Sequence, residues 1–120
     1  MKQIIEKQII EKPILDSELI DQLREIMEDD FSLLLETYLV ESQLQLSAIE
    51  SSHAANNSDQ LSKDAHRLKG SCSNIGAVDL AKICADIEAD PSQDMSSLFT
   101  QLHCQFNDVR SAVQDLHQAL

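Results

Sequence analysis

The chain has 120 residues, 42% of them hydrophobic, 25% charged and 3% aromatic, which suits one globular domain and leaves no room for a second. Its formal net charge of −12 repels nucleic-acid phosphates and anionic lipid head groups, so binding through a basic surface is excluded for the chain as a whole. Two glycines and two prolines are too little turn punctuation for a sheet protein, and no apolar run approaches the roughly 18 residues that span a membrane.

In chain order, the first feature is a tandem repeat, KQIIEKQIIE, whose period of five fits neither a helical stripe nor a strand alternation. Met1 to Lys12 therefore reads as a frayed, flexible extension, and its alternation of Lys and Glu with Ile is unlike a secretory signal, so a cytoplasmic location is expected. Pro13 precedes Asp16 and Ser17, either of which can cap a short helix running to about Met27, with Glu18 near its positive end. Asp29 and Asp30 open a longer helix in which Phe31, Leu35, Leu39, Leu46 and Ile49 recur at threes and fours until Asn56-Asn57-Ser58. Asn57 with Gln60 has the form of a capping box for a third helix, where Leu61, Ala65, Leu68, Cys72 and Ile75 make a narrow apolar stripe. Gly76 stands where a left-handed helix stop belongs, and the fourth helix carries Ala77, Leu80, Cys84 and Ile87 inward. After Asp90-Pro91-Ser92, a final helix repeats Met95, Phe99, Leu102, Phe106, Val109, Val113, Leu116 and Leu120. These elements predict an all-α protein: an antiparallel four-helix bundle with a short additional N-terminal helix, occupying residues 13–120.

The three cysteines, Cys72, Cys84 and Cys104, are an odd number without a CxxC pair, so they read as reduced thiols, the first two as small core residues. The basic residues are more informative. Only nine are present, yet Lys63, Arg67 and Lys69 cluster around His66. At about 100° per residue, His66 lies roughly 140° from the centre of its helix's apolar stripe and faces solvent. Gly70 and Ser73 share that face, and Lys69 sits on its border. A mid-helix glycine costs about 1 kcal/mol relative to alanine, so Gly70 works against the helix unless something must approach closely there. The competing reading is that an exposed histidine is an ordinary solvated side chain. His53, at a helix end, and His103 and His117, without basic neighbours or a glycine, fit that reading better. No phosphate-cradling glycine loop, nucleophile elbow or paired-histidine metal site is present, which argues against a self-contained enzyme.

The stretch AHRLKGSCSNIGA, Ala65 to Ala77, followed by DLAKICADIE, resembles the histidine phosphotransfer domain of multistep two-component phosphorelays. The family's His-x-Leu-Lys-Gly motif, small residues and Gly-Ala are matched by His66, Leu68, Lys69, Gly70, Gly76 and Ala77, with Cys72 in place of an often-found serine. The resemblance extends more weakly from about Pro13 through the last helix. It implies a phosphocarrier without a kinase or ATP-binding site of its own, either free-standing or part of a hybrid sensor kinase. His66 would accept a phosphoryl group from a receiver domain's aspartyl phosphate and pass it to another receiver's aspartate. Lys69 would supply charge stabilisation and Gly70 steric clearance, while Glu88, at a position where the family often carries Gln or Glu, would orient the imidazole. No cofactor or metal is expected in this chain, Mg2+ belonging to the partner receiver. The expected protein is a monomer that docks receivers through exposed apolar residues drawn from Ile20, Leu23, Met27 and Leu34. A non-catalytic helical adaptor is the second reading, and a metal-binding bundle using His66, His103 and cysteines a distant third.

Overall fold

The computed structural model describes residues 14–120, and the KQIIE repeat with the expected extension lies outside them. Five helices follow in chain order: α1 (Ser17–Met27), α2 (Asp30–Ala54), α3 (Ser58–Asn74), α4 (Val78–Ala89) and α5 (Ser96–Gln118). α2 to α5 form the bundle, each packing on its sequence neighbour and α2 closing the ring against α5. Side-chain contacts give the antiparallel sense directly. Along the α2–α5 seam, Glu36 meets His117, Glu50 meets His103 and His53 stacks on Phe99, so rising numbers in one helix oppose falling numbers in the other. His103 is bonded through both ring nitrogens, to the Phe99 carbonyl at 2.7 Å and to Glu50 at 2.7 Å. The Glu50 carboxylate, first, and the Phe99 carbonyl then raise its pKa.

Local signals act as expected, with three amendments. Asp16 caps α1 by accepting from the backbone N–H groups of Glu18 and Leu19. Asn57 accepts from the Gln60 N–H at 3.1 Å, but the Gln60 side chain does not return to the cap. It donates to Asp64 at 2.9 Å, so only half of the capping box forms. Within α2 the inward line is Phe31, Leu35, Tyr38, Ser42, Leu46 and Ile49, with Leu39 only partly buried. The final helix keeps its stripe through Val113, and Leu120 is exposed.

The corner between α3 and α4 holds the bundle's end together. Gly76 has φ +75°, the Ala77 N–H reaches the Cys72 carbonyl at 2.9 Å, and the Gly76 N–H reaches that of Ser73 at 3.3 Å. This is the Schellman termination, which needs a left-handed residue at that position. The Gly76 carbonyl in turn accepts from the Asp16 N–H at 2.9 Å, seating α1 on the corner. A Cβ on residue 76 would stand 2.9 Å from the Asp16 Cβ and 3.1 Å from its backbone nitrogen. Gly76→Ala therefore combines left-handed strain with displacement of α1. We expect it to cost about 2 kcal/mol or more, read from urea unfolding, and wild-type stability in that variant would contradict the packing described.

Candidate functional site

α3 is polar outside and apolar inside because Leu61, Ala65, Leu68 and Cys72, one face of the helix, are all buried. That geometry carries His66 outward, with its side chain 65% exposed. Ser62 and Gly70 lie one turn before and after it on the same line. The space over Gly70 is open, nothing lying within 4 Å of where its Cβ would stand. No packing contact at that position offsets the glycine's cost to the helix.

α4 packs beside α3 and brings Glu88 to the histidine. Its Oε2 lies 2.9 Å from His66 Nδ1 and its Oε1 2.6 Å from Lys69 Nζ, with the Glu88 side chain only 28% exposed. One carboxylate thus holds two side chains of the neighbouring helix. Lys69, chiefly, and then His66 hold its pKa below the usual carboxylate range, against the opposing effect of desolvation. An ionised carboxylate only accepts, so Nδ1 bears the hydrogen of this bond and Nε2 is the outward nitrogen. Ser62, which the sequence analysis did not single out, donates its hydroxyl to the Glu88 backbone carbonyl at 3.0 Å and so ties the end of α4 to α3. The available signal was its position one turn before His66.

The remaining expected residues divide. Lys63 and Arg67 line, with Ser62, His66 and Glu88, a shallow concavity of about 300 Å³, and Arg67 also approaches the buried Asp64 at 3.9 Å. Cys72 and Cys84 are buried and Cys104 is exposed. Among the described residues no group of three or more His, Cys, Asp or Glu is placed to hold a metal ion, and His103 is engaged on α2 instead. The expected docking residues need correction: Ile20 is buried, and Leu23, Met27 and Leu34 are partly buried against the core. Ile20, Leu23 and Met27 face inward because α1 buries its own apolar side on the bundle, and Leu34 of α2 packs against the same core. The exposed large apolar residues of α1 and α2 are Ile26, Leu33, Val40 and Leu44.

The structure is thus a four-helix bundle that presents a histidine on its outer surface, held by a carboxylate from the next helix. Comparison with known proteins agrees. A family model for the Hpt domain matches residues 33–120, and the chain belongs to that family. The crystal structure of histidine-containing phosphotransfer protein B (HptB) from Pseudomonas aeruginosa PAO1 is similar at a TM-score of 0.86 and 31% identity, over 91% of this chain and 98% of that one. Comparison of the sequence with curated proteins gave no match. The protein is therefore a histidine phosphotransfer module of the kind used in phosphorelays.

The clamp makes a spectroscopic prediction. Because Glu88 is ionised down to below the ordinary carboxylate range, it stays an acceptor through neutral and mildly acidic pH. Long-range 1H–15N spectra above the histidine titration should show His66 mainly with hydrogen on Nδ1. In Glu88→Ala the ring should shift toward the Nε2–H form, and an unchanged tautomer would remove Glu88 from the site.

Proposed function

We propose that His66 is the residue that carries the phosphoryl group, receiving it from a receiver domain's aspartyl phosphate and delivering it to the aspartate of another receiver. The observation that supports this most is the Nδ1 clamp: Glu88 engages one ring nitrogen and leaves Nε2 outward, 65% of the side chain being exposed. In the transfer step Nε2 attacks phosphorus in line with the scissile P–O bond. The N–P bond forms as that bond breaks, and the electron pair departs on the aspartate carboxylate. No proton has to move. Nδ1 keeps its hydrogen, and the Glu88 charge faces the cationic ring that phosphorylation creates. Delivery to the second receiver is the same step reversed.

Lys69 has two effects in this reading. Its ammonium rests on Glu88 and steadies the carboxylate, and it adds positive potential where the phosphoryl oxygens arrive. Gly70 gives those oxygens and the receiver's loops their room. Mg2+ would be supplied by the receiver, with this chain contributing no ligand of its own.

Incubation with a phosphorylated receiver tests the assignment. Wild type should acquire label in an acid-labile, alkali-stable linkage. His66→Gln should acquire none while melting as wild type does, because an exposed imidazole carries little packing. Label on another histidine would overturn the assignment, and no label on wild type from any receiver would leave a helical adaptor.

Lys69→Ala should slow transfer roughly ten- to hundredfold without abolishing it. Gly70→Gln should gain roughly 0.5 kcal/mol of stability from helix propensity yet lose most of its transfer. A more stable Gly70→Gln that transfers at the wild-type rate would refute the clearance role.

A further inference from the structure

α2 is apolar on two opposite faces, and only one of them is used by the bundle. On the outer face Leu33, Val40 and Leu44 are 60%, 63% and 66% exposed. With the exposed Thr37 between them, they fall at spacings of four, three and four, within roughly 60° of one another and opposite the inward line of Phe31, Tyr38, Ser42 and Ile49. This is the spacing of a coiled-coil seam, with Leu33 and Val40 at d and Thr37 and Leu44 at a.

The same register says what can cover the seam. It puts Glu36 and Gln43 at g and the half-buried Leu34 and Glu41 at e, so the only charges flanking the apolar line are two exposed glutamates. Glu36 contacts His117 from within the molecule, yet its side chain remains 55% exposed. α2 contains no Lys or Arg anywhere along its length. In a parallel pair a g residue meets the e residue of the partner's following heptad, and in an antiparallel pair g meets g and e meets e. A second copy paired in parallel would therefore set Glu36 against Glu41, and in either direction it would bring together two bodies that each carry a net charge of −12. A helix with Lys or Arg at both flanking positions turns every one of those repulsions into an ion pair. We propose that the outer face of α2 is a docking seam for an amphipathic helix of another protein, one whose apolar a and d residues are flanked by basic e and g residues. The seam stands apart from the clamp, which is built on α3 and α4, and the proposal holds whether or not His66 carries phosphoryl.

The test uses the full chain, labelled with 15N, and a synthetic three-heptad peptide with Leu at a and d and Lys at e and g. Controls are a peptide of identical composition in scrambled order and one with Glu at e and g. The Lys peptide should bind, moving the amides of Leu33, Thr37, Val40 and Leu44 most, while the scrambled and Glu peptides bind at least roughly tenfold more weakly. Val40→Glu with Leu44→Glu should abolish that preference and leave the circular dichroism and melt unchanged, since both residues are exposed. Glu36→Gln with Glu41→Gln should weaken binding several-fold and flatten its salt dependence. The proposal is overturned by failure of the Lys peptide to bind, by equal binding of the scrambled peptide, or by shifts centred away from α2. Sedimentation showing a dimer of the chain alone that Val40→Glu with Leu44→Glu dissociates would also overturn it, by making a second copy the occupant.

Discussion

Glu88 holds two side chains of α3 at once, and it can do so only because α3 and α4 lie close together over a length of several turns. The residues between them make that possible. Ala65, Cys72, Ala77 and Cys84 are small and fully buried, with Leu68, Leu80 and Ile87 filling the space around them. Interhelical distance follows the bulk of the side chains at the contact. The carboxylate then spans to His66 and Lys69 at 2.9 and 2.6 Å. The Ser62 hydroxyl on the Glu88 carbonyl holds the same approach at the backbone. The orientation of the imidazole is in this sense a property of the core beneath it.

The local electrostatics follow from the same arrangement. Lys69 is the basic residue nearest the histidine in sequence on the α4 side, but its charge is balanced by Glu88. Lys63 and Arg67 add further positive charge beside His66, their side chains lining the open concavity, although Arg67 also approaches Asp64 at 3.9 Å. An acidic protein thereby keeps a small basic rim around the outward imidazole of His66, where an approaching anionic group meets those charges before contact.

Much of this was legible in the sequence, and the residues show why. His66, Gly70 and Gly76 could be placed because each depends on its own helix: a face 140° or so from the stripe, a glycine with a known propensity cost, and a stop directly after the last apolar residue. The family resemblance added Glu88 as a residue near the histidine, but its simultaneous hold on Lys69 is a relation between two helices, which spacing along one chain cannot express. α2 was the hard case. Leu33, Leu34 and Leu35 are consecutive, and Leu39 and Val40 follow, so apolar residues surround the helix and periodicity cannot say which face turns inward. Tyr38 and Ser42 went unnoticed as core residues for that reason, as did the exposure of Leu33 and Val40. The docking residues expected on α1 failed differently: Ile20 belongs to a helix so short that its apolar side is consumed in attaching it to the bundle.

The Gly76 corner has a consequence for how the molecule opens. One residue ends α3, precedes α4 and, through its carbonyl and the missing Cβ, receives Asp16 at the head of α1. α1 is thereby tied at its head to the α3–α4 corner as well as packed on α2. Amide hydrogens of Asp16 and of Ala77, sixty-one residues apart in the chain, are bonded to the two sides of this one corner, so opening it is expected to expose both and to loosen the start of the helix whose far end carries Glu88.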